Sequence, residues 1–237
     1  MRVLGIETAT PAGSVALVGP EGLLGEVTAQ VPMRHLEWLL PAIDRLLADL
    51  GLGRDAVEGV GVSRGPGGFT GLRIGIATAQ AWARSAGCPV VGVPTLEALA
   101  AAAGAPGRVL ALLDARRGEV AAALFRAEAA PPRPGEAAGL SLVRLLDDTL
   151  LPPEDLSTLV PPDAAPLLLL GDALVRYREI ISRTLPSAVV LPPVTWTPRA
   201  AWVAALARER LLRGERDDLY RLHPVYGRRP YVETPPS

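Results

Sequence analysis

Lysine is missing from these 237 residues, so all 24 basic side chains are arginine. That removes the residue closing a G-x-x-x-x-G-K-[ST] phosphate loop. It also removes every Schiff-base or general-base lysine. Histidine occurs twice, at His35 and His223, too far apart in sequence for H-E-x-x-H zinc chemistry. The single cysteine, Cys88, excludes an internal disulfide and a cysteine-rich zinc site. No apolar run reaches the roughly 18 uncharged residues that a spanning helix needs. The first residues enter a strand pattern, VLGIET, with no charged-then-apolar leader before it. A net charge of −1 gives no general pull on nucleic acid. These absences lead us to expect a soluble, cytoplasmic protein that does not use the membrane. The excess of arginine and alanine reads as the mark of a GC-rich genome rather than of function.

A 49% hydrophobic content, by contrast, is ample for a core in one large or two small domains. Val3–Glu7 reads as a buried strand. Ser14–Val18 and Leu23–Thr28 follow as a hairpin around the Gly19–Gly22 turn. Leu36, Leu39, Leu40, Ile43, Leu46, Leu47 and Leu50 fall on one face of a helix spanning about Arg34 to Leu50. Pro41, inside that pattern, is expected to kink the helix or delay its regular part. A strand at Val57–Val62 runs into a glycine turn at Gly65, Pro66, Gly67 and Gly68. A helix over roughly Thr70–Ala86 comes next. A short strand at Pro89–Val93 leads to a short helix with Thr95 as its expected cap.

The order then repeats. Strands are expected at Arg108–Asp114, Glu119–Phe125 and Leu140–Leu146, then a helical stretch at Pro153–Leu159. A strand at Leu167–Leu170 and a helix at Ala173–Thr184 follow. VLGIETATPAGSVALV and VLALLDARRGEVAAALF are alike: each is an apolar strand ending in a carboxylate (Glu7, Asp114), then a small polar turn and a second strand. Two copies of βββαβα mean a duplicated α/β architecture. The boundary is placed at 106/107, giving subdomains 1–106 and 107–237. A last helix, Pro198–Leu212, precedes a tail rich in Arg, Tyr and Pro.

The most informative stretch is SRGPGGFTGLRIGIATAQAWAR (Ser63–Arg84). Its small residues Gly71, Gly75 and Ala79 recur every fourth position and make a smooth helical ridge. Glycine lets backbones approach closely. The ridge therefore points to close contact with either an anion over the glycine turn or a partner along the helix.

The duplicated hairpin resembles the actin/Hsp70/sugar-kinase (ASKHA) superfold. Ile6–Val18, Arg34–Leu47, Ser63–Gln80, Val93–Ala100 and Leu113–Val120, in that order, resemble the TsaB (YeaZ) family. The likeness is strong over about residues 1–126. It thins to single positions beyond, such as Pro224 and Tyr226 in HPVYGRRP. The resemblance implies a non-catalytic subunit of the machinery that makes threonylcarbamoyladenosine in tRNA. Such a subunit scaffolds and activates the transferase TsaD, with the ATPase TsaE completing the complex. It also implies a homodimer where TsaD is absent, and no intrinsic cofactor, with ADP or ATP at a subunit junction as the nucleotide alternative. Direct contact with tRNA is left open. The chain has no H-x-x-x-H pair, which separates it from TsaD.

On this resemblance Thr8, Thr10 and Ser14 stand where relatives in the superfold cradle phosphate, here as the remnant of such a turn. Only Gly171 remains of the paired glycines expected at an adenine-binding turn. The two long helices are implied to form the interface. Trp38, Leu39, Ile43, Phe69, Leu72 and Ile76 would supply its apolar part and Arg34, His35 and Arg73 its polar rim. Glutamate at Leu39 or Ile76 is then expected to abolish partner binding with folding intact. Two alternatives have sequence features of their own. An autonomous ATPase or kinase would use the same fold. A serine hydrolase or glycoprotease-like peptidase would use Gly61-Val62-Ser63-Arg64-Gly65, which matches G-x-S-x-G, with His223 as base. Pro66 and two glycines stand where that elbow needs a helix to start. Asp114, Arg116 and Arg117 read best as a charged surface turn. Arg221, Arg228 and Arg229, interleaved with Tyr220, Tyr226 and Tyr231, read as a solvated tail, with tRNA contact as the alternative.

Overall fold

The computed structural model describes residues 1–130, 139–160 and 166–227. Arg228, Arg229 and Tyr231 of the expected tail lie outside them. In the first half, β1 (Val3–Glu7), β2 (Ala12–Gly19) and β3 (Gly22–Gln30) form an antiparallel meander. Next come α1 (His35–Asp49), β4 (Gly59–Gly65), α2 (Phe69–Ala86), β5 (Val90–Pro94) and α3 (Thr95–Ala101). In the second half, β6 (Gly107–Asp114), β7 (Val120–Ala130) and β8 (Gly139–Leu151) form another meander. β9 (Leu167–Leu170), α4 (Ala173–Thr184), β10 (Val189–Val190) and α5 (Ala200–Leu212) complete the described elements. The sheets run β3-β2-β1-β4-β5 and β8-β7-β6-β9-β10. Each keeps its meander antiparallel and its last two strands parallel to the first. The same order in both halves is the duplication read from the sequence.

Several local readings change. Pro41 lies inside α1, and the helix continues through it as one element. A proline in the second turn forgoes one backbone hydrogen bond. The apolar stripe of α1 on the sheet supplies most of a helix's stability in such a setting. The cap of α3 is Pro94, not Thr95, whose hydroxyl is buried without a hydrogen-bond partner. In the second half a 3-10 segment, Pro153–Leu159, stands where the first half has α1.

Side-chain alternation along β1 divides the core. Leu4 and Ile6 face α1 and α2, packing with Leu39, Ile43, Ile76 and Trp82. Val3 and Gly5 face the other way. There α5 crosses back from the second half and lays Val203, Ala207 and Leu211 on the first sheet. Residues 1–106 hold the first sheet and 107–237 the second, and α5, from the second stretch, packs on the first sheet. In exchange, Leu96, Leu99 and Ala100 of α3 pack into the second core. Gly5, Gly59 and Gly61 make room for α5. A Cβ on Gly5 would run into the Ala200 carbonyl and lie 2.9 Å from the Ala204 Cβ, and one on Gly61 would collide with Ala207.

Beyond α5 the chain returns as a strap along the first half. Asp217 donates its amide to Val90 O and accepts the Gly92 amide on its carboxylate, at 2.9 and 2.7 Å. Gln80 Nε2 donates to the carbonyls of Leu219 and Leu222. Leu222 is buried, and the Val225 amide donates to Arg64 O. The tail is therefore packed as far as Tyr226 rather than solvated, although Tyr220 and Arg221 point outward.

Gly5→Ala is expected to destabilise the protein by about 1–3 kcal/mol, because its methyl overpacks the β1–α5 contact. Urea unfolding measures this; a change below about 0.5 kcal/mol would mean that α5 does not seat on β1 as described.

Candidate functional site

The two halves enclose a cleft of about 640 Å³. Its first-half wall is the turn after β1 (Thr8–Pro11), the residue pair Met33 and His35, and the start of α2 from Pro66 to Gly71. Its second-half wall is Leu113–Arg116 after β6, Leu150 and Asp172, with Tyr226 and Gly227 of the strap at the side.

The first-half wall is a direct backbone contact. The Gly68 amide donates to Ala9 O at 2.7 Å, and a Cβ on Gly67 would lie 2.6 Å from the Ala9 Cβ. A Cβ on Gly71 would collide with the Thr8 carbonyl, and one on Gly75 with the Thr8 hydroxyl. The ridge of Gly71, Gly75 and Ala79 is thus buried within the chain. It lets α2 lie against the end of its own strand β1.

That approach engages one of the polar groups expected to cradle phosphate, and the rest of the fold engages a second. Thr8 is buried, and its Oγ1 donates to Gly71 O at 2.8 Å. Ser14, also buried, bonds Glu26 and Thr28 and accepts the Ala200 amide at 3.1 Å. Glu26 further accepts the Ala201 amide and pairs with Arg199, so the β2–β3 hairpin caps α5. Thr10 is partly exposed and lines the cleft, its hydroxyl at 3.5 Å from Ala12 O. Two of the three hydroxyls expected to cradle phosphate thus already serve the fold.

Glu7 and Ser63 meet in the core. Ser63 Oγ donates to Glu7, and the Ala9 amide donates to the other Glu7 oxygen at 2.6 Å. Ser63 is fully buried on β4, so it does not project from a strand-to-helix elbow. His223 lies on the strap, exposed, in a groove with Arg73 and Gln80. Burial drives the Glu7 carboxyl from 4.5 up to about 7, with the Ser63 hydroxyl and the Ala9 and Thr8 amides opposing the rise.

On the second-half wall Asp172 Oδ1 accepts the Asp114 amide at 2.8 Å. This ties the end of β6 to the β9–α4 turn, as Glu7 and Ser63 tie β1 to β4. Burial pushes Asp172 up to about 6; the Asp114 amide lowers it, the Asp114 carboxylate raises it and Arg116 lowers it. Arg116 and Arg117 are exposed with positive φ, as expected of a surface turn, but Asp114 faces inward with a side chain 14% exposed. Asp172 was not singled out in the sequence. The signal available was its place just after Gly171, whose φ of 127° and contact with the Leu112 carbonyl require a residue without Cβ.

The expected interface residues divide in two. Leu39, Ile43, Leu72 and Ile76 are at most 4% exposed and belong to the core. The reason is that one stripe of each helix must cover the sheet. His35 is buried at the cleft, and Trp38 is half-buried over Gly13. Phe69, Arg34 and Arg73 remain outside. Met33, Leu36, Leu40 and Phe69 are 92%, 74%, 51% and 51% exposed. The Phe69 ring stacks on Tyr226 with centroids 4.9 Å apart, and Arg73 lies 4.0 Å above Phe69 while donating to Tyr226 Oη at 3.0 Å. Leu36 and Leu40, which the periodicity placed on the core face, point outward instead.

Glu7 binds its proton more tightly folded than unfolded, so this group's contribution to stability falls as pH rises from 4.5 through about 7. Glu7→Gln is expected to flatten that part of the profile and gain stability at pH values above it. Chemical unfolding across the interval checks this; an unchanged slope in the variant would contradict the assignment.

A family model described as "TsaD: tRNA N6-adenosine threonylcarbamoyltransferase" matches residues 21–131. The Escherichia coli K12 "tRNA threonylcarbamoyladenosine biosynthesis protein TsaB" is 40% identical over 123 residues, covering 51% of this chain and 53% of that protein. The chain spans about half the length of the first curated relatives it matches. The solved structure "YeaZ from Pseudomonas aeruginosa" superposes with a TM-score of 0.78 at 32% identity, covering 95% of this chain and 99% of that one. At the level of fold alone, an activator of 2-hydroxyisocaproyl-CoA dehydratase from Clostridium difficile matches with a TM-score of 0.51 at 10% identity, covering 90% of this chain and 97% of that one. The architecture is the duplicated ASKHA fold, and with the YeaZ structure matched over nearly its whole length, the chain belongs to the TsaB (YeaZ) family.

Proposed function

We propose that this protein is an accessory subunit in the biosynthesis of threonylcarbamoyladenosine in tRNA. It docks a TsaD-type transferase through the outer face of α1 and α2 and contributes no catalytic group of its own. The observation carrying this reading is the exposed set Met33, Leu36, Leu40 and Phe69, with Arg34 and Arg73 beside it. Exposed apolar side chains gathered on one face mark interaction sites. A standard interface would bury about 1,600 Å² in total. Phe69, held by Tyr226 and Arg73, is a rigid aromatic anchor of the kind that dominates binding energy. In the absence of that partner the same face would pair two copies of this chain. TsaE and tRNA would join through the complex, in the cytoplasm. Among the described residues no helix is long and apolar enough to cross a membrane.

The engaged hydroxyls of Thr8 and Ser14 and the buried Ser63 weigh against autonomous kinase and hydrolase readings. The purified chain is accordingly expected not to turn over ATP by itself, and Ser63→Ala to leave tRNA modification by the reconstituted complex intact while costing some stability. ATP turnover by the isolated chain would favour the kinase reading.

Leu36→Glu and Phe69→Glu are each expected to weaken binding to the transferase by about 30-fold or more, with unfolding free energies within about 0.5 kcal/mol of the wild type. Leu39→Glu, which buries a carboxylate in the core, is expected to unfold the chain instead. Calorimetric titration paired with urea unfolding separates the cases. Wild-type affinity in both surface variants would overturn the docking face.

A further inference from the structure

The outer face of α1 and α2 carries one cation that is both fixed in place and unpaired. Resting on the docking reading above, we propose that Arg73 is the specificity point of that face and takes a carboxylate of the transferase in the groove between α2 and the strap. Arg73 follows Phe69 by one helical turn, so the two side chains leave the same side of α2. Its guanidinium lies 4.0 Å above the Phe69 ring, and that ring stacks on Tyr226. Its Nε donates to Tyr226 Oη at 3.0 Å. Tyr226 is steadied by its neighbours on the strap: the Val225 amide donates to Arg64 O at 2.6 Å, and Leu222 is buried. Much of the rotamer entropy that an arginine loses on binding is therefore lost beforehand.

With Nε engaged, Nη1 and Nη2 are the donors that remain, the edge that meets a carboxylate through two parallel hydrogen bonds. Nothing answers that edge from within. α2 has no acidic residue, and among the described residues no carboxylate lines the adjoining groove of about 460 Å³. On the α1 side, by contrast, Arg34 and Arg45 pair with Glu37 and Asp49. Gln80 lines the groove with its amide nitrogen already on the Leu219 and Leu222 carbonyls. His223 lines it too and brings an N–H donor of its own. An RNA phosphate is the competing anion. Phosphate backbones are gripped by several cations in a row. Here a single fixed arginine stands beside Phe69, Ala77 and Pro224, and the net charge of −1 gives no wider pull. That setting suits one carboxylate at a protein interface.

Calorimetric titration of the full chain with the TsaD-type transferase tests this, with urea unfolding to verify each variant. Arg73 is exposed, so its variants are expected to fold. Arg73→Lys keeps the charge and loses the planar fork. It is expected to weaken binding by about tenfold or more, as is Arg73→Gln. Tyr226→Phe keeps the ring stack and releases Nε. Tyr226 is a positioning residue that acts through Arg73, so this variant is expected to weaken binding in the wild-type background and to add nothing to Arg73→Gln. When asparagine or glutamine replaces single carboxylates of the transferase, one replacement is expected to weaken binding to the wild-type chain and to add nothing with Arg73→Gln. Leu36→Glu runs alongside to keep the two readings apart. Weakening by Leu36→Glu, with Arg73→Lys binding like the wild type, overturns the carboxylate receptor and leaves the docking face standing. So does a transferase series in which no carboxylate couples to Arg73, or a Tyr226→Phe loss that adds in full to that of Arg73→Gln. Weakened tRNA binding by Arg73→Lys, with transferase binding kept, overturns it in favour of an RNA phosphate. A wild-type chain that does not bind the transferase overturns the docking reading and this one together.

Discussion

The approach of α2 to the end of β1 sets the terms for the rest of this structure. Gly67, Gly71 and Gly75 let the helix backbone rest on Thr8 and Ala9, with the Gly68 amide on Ala9 O and the Thr8 hydroxyl on Gly71 O. A side chain at any of these glycines would push helix and strand apart. The contact floors the cleft on one side. It also fixes where the N-terminal turn of α2, with Phe69 and Arg73, emerges beside α1.

The same contact engages one of the hydroxyls expected to cradle phosphate, and α5 engages another. In a fold whose first turn can hold phosphate, the turn here is satisfied from within: Thr8 by α2, Ser14 and Glu26 by the amino end of α5. Glu7, a carboxylate at the end of β1, is drawn into the core with Ser63 and held with a pKa near neutrality. Polar residues expected to face a ligand became the joints between layers.

Much of this was legible beforehand, for definite reasons. The repeated strand–turn–strand openings ending in Glu7 and Asp114 carried the duplication, and the two sheets repeat the same strand order. What spacing could not decide was which face of a helix is covered. Leu36 and Leu40 share the periodicity of Leu39 and Ile43, yet the first pair is exposed and the second buried. Nor does local pattern show that α5 returns to the first sheet. The marks it leaves, Gly5 and Gly61, are explained by residues about 200 and 145 positions away in a chain of 237. Asp172 was missed because a lone aspartate after a glycine is common in turns, and its meaning arises from Asp114 across the sheet.

Hydrogen exchange of the chain with and without the TsaD-type transferase tests the central claim most directly. The account predicts partner-dependent protection over Met33–Leu40 and Phe69–Arg73, with the Thr8–Ser14 turn equally protected in both states and unmoved by ATP. Protection appearing at that turn on addition of ATP, with α1 and α2 unchanged by the partner, would contradict it.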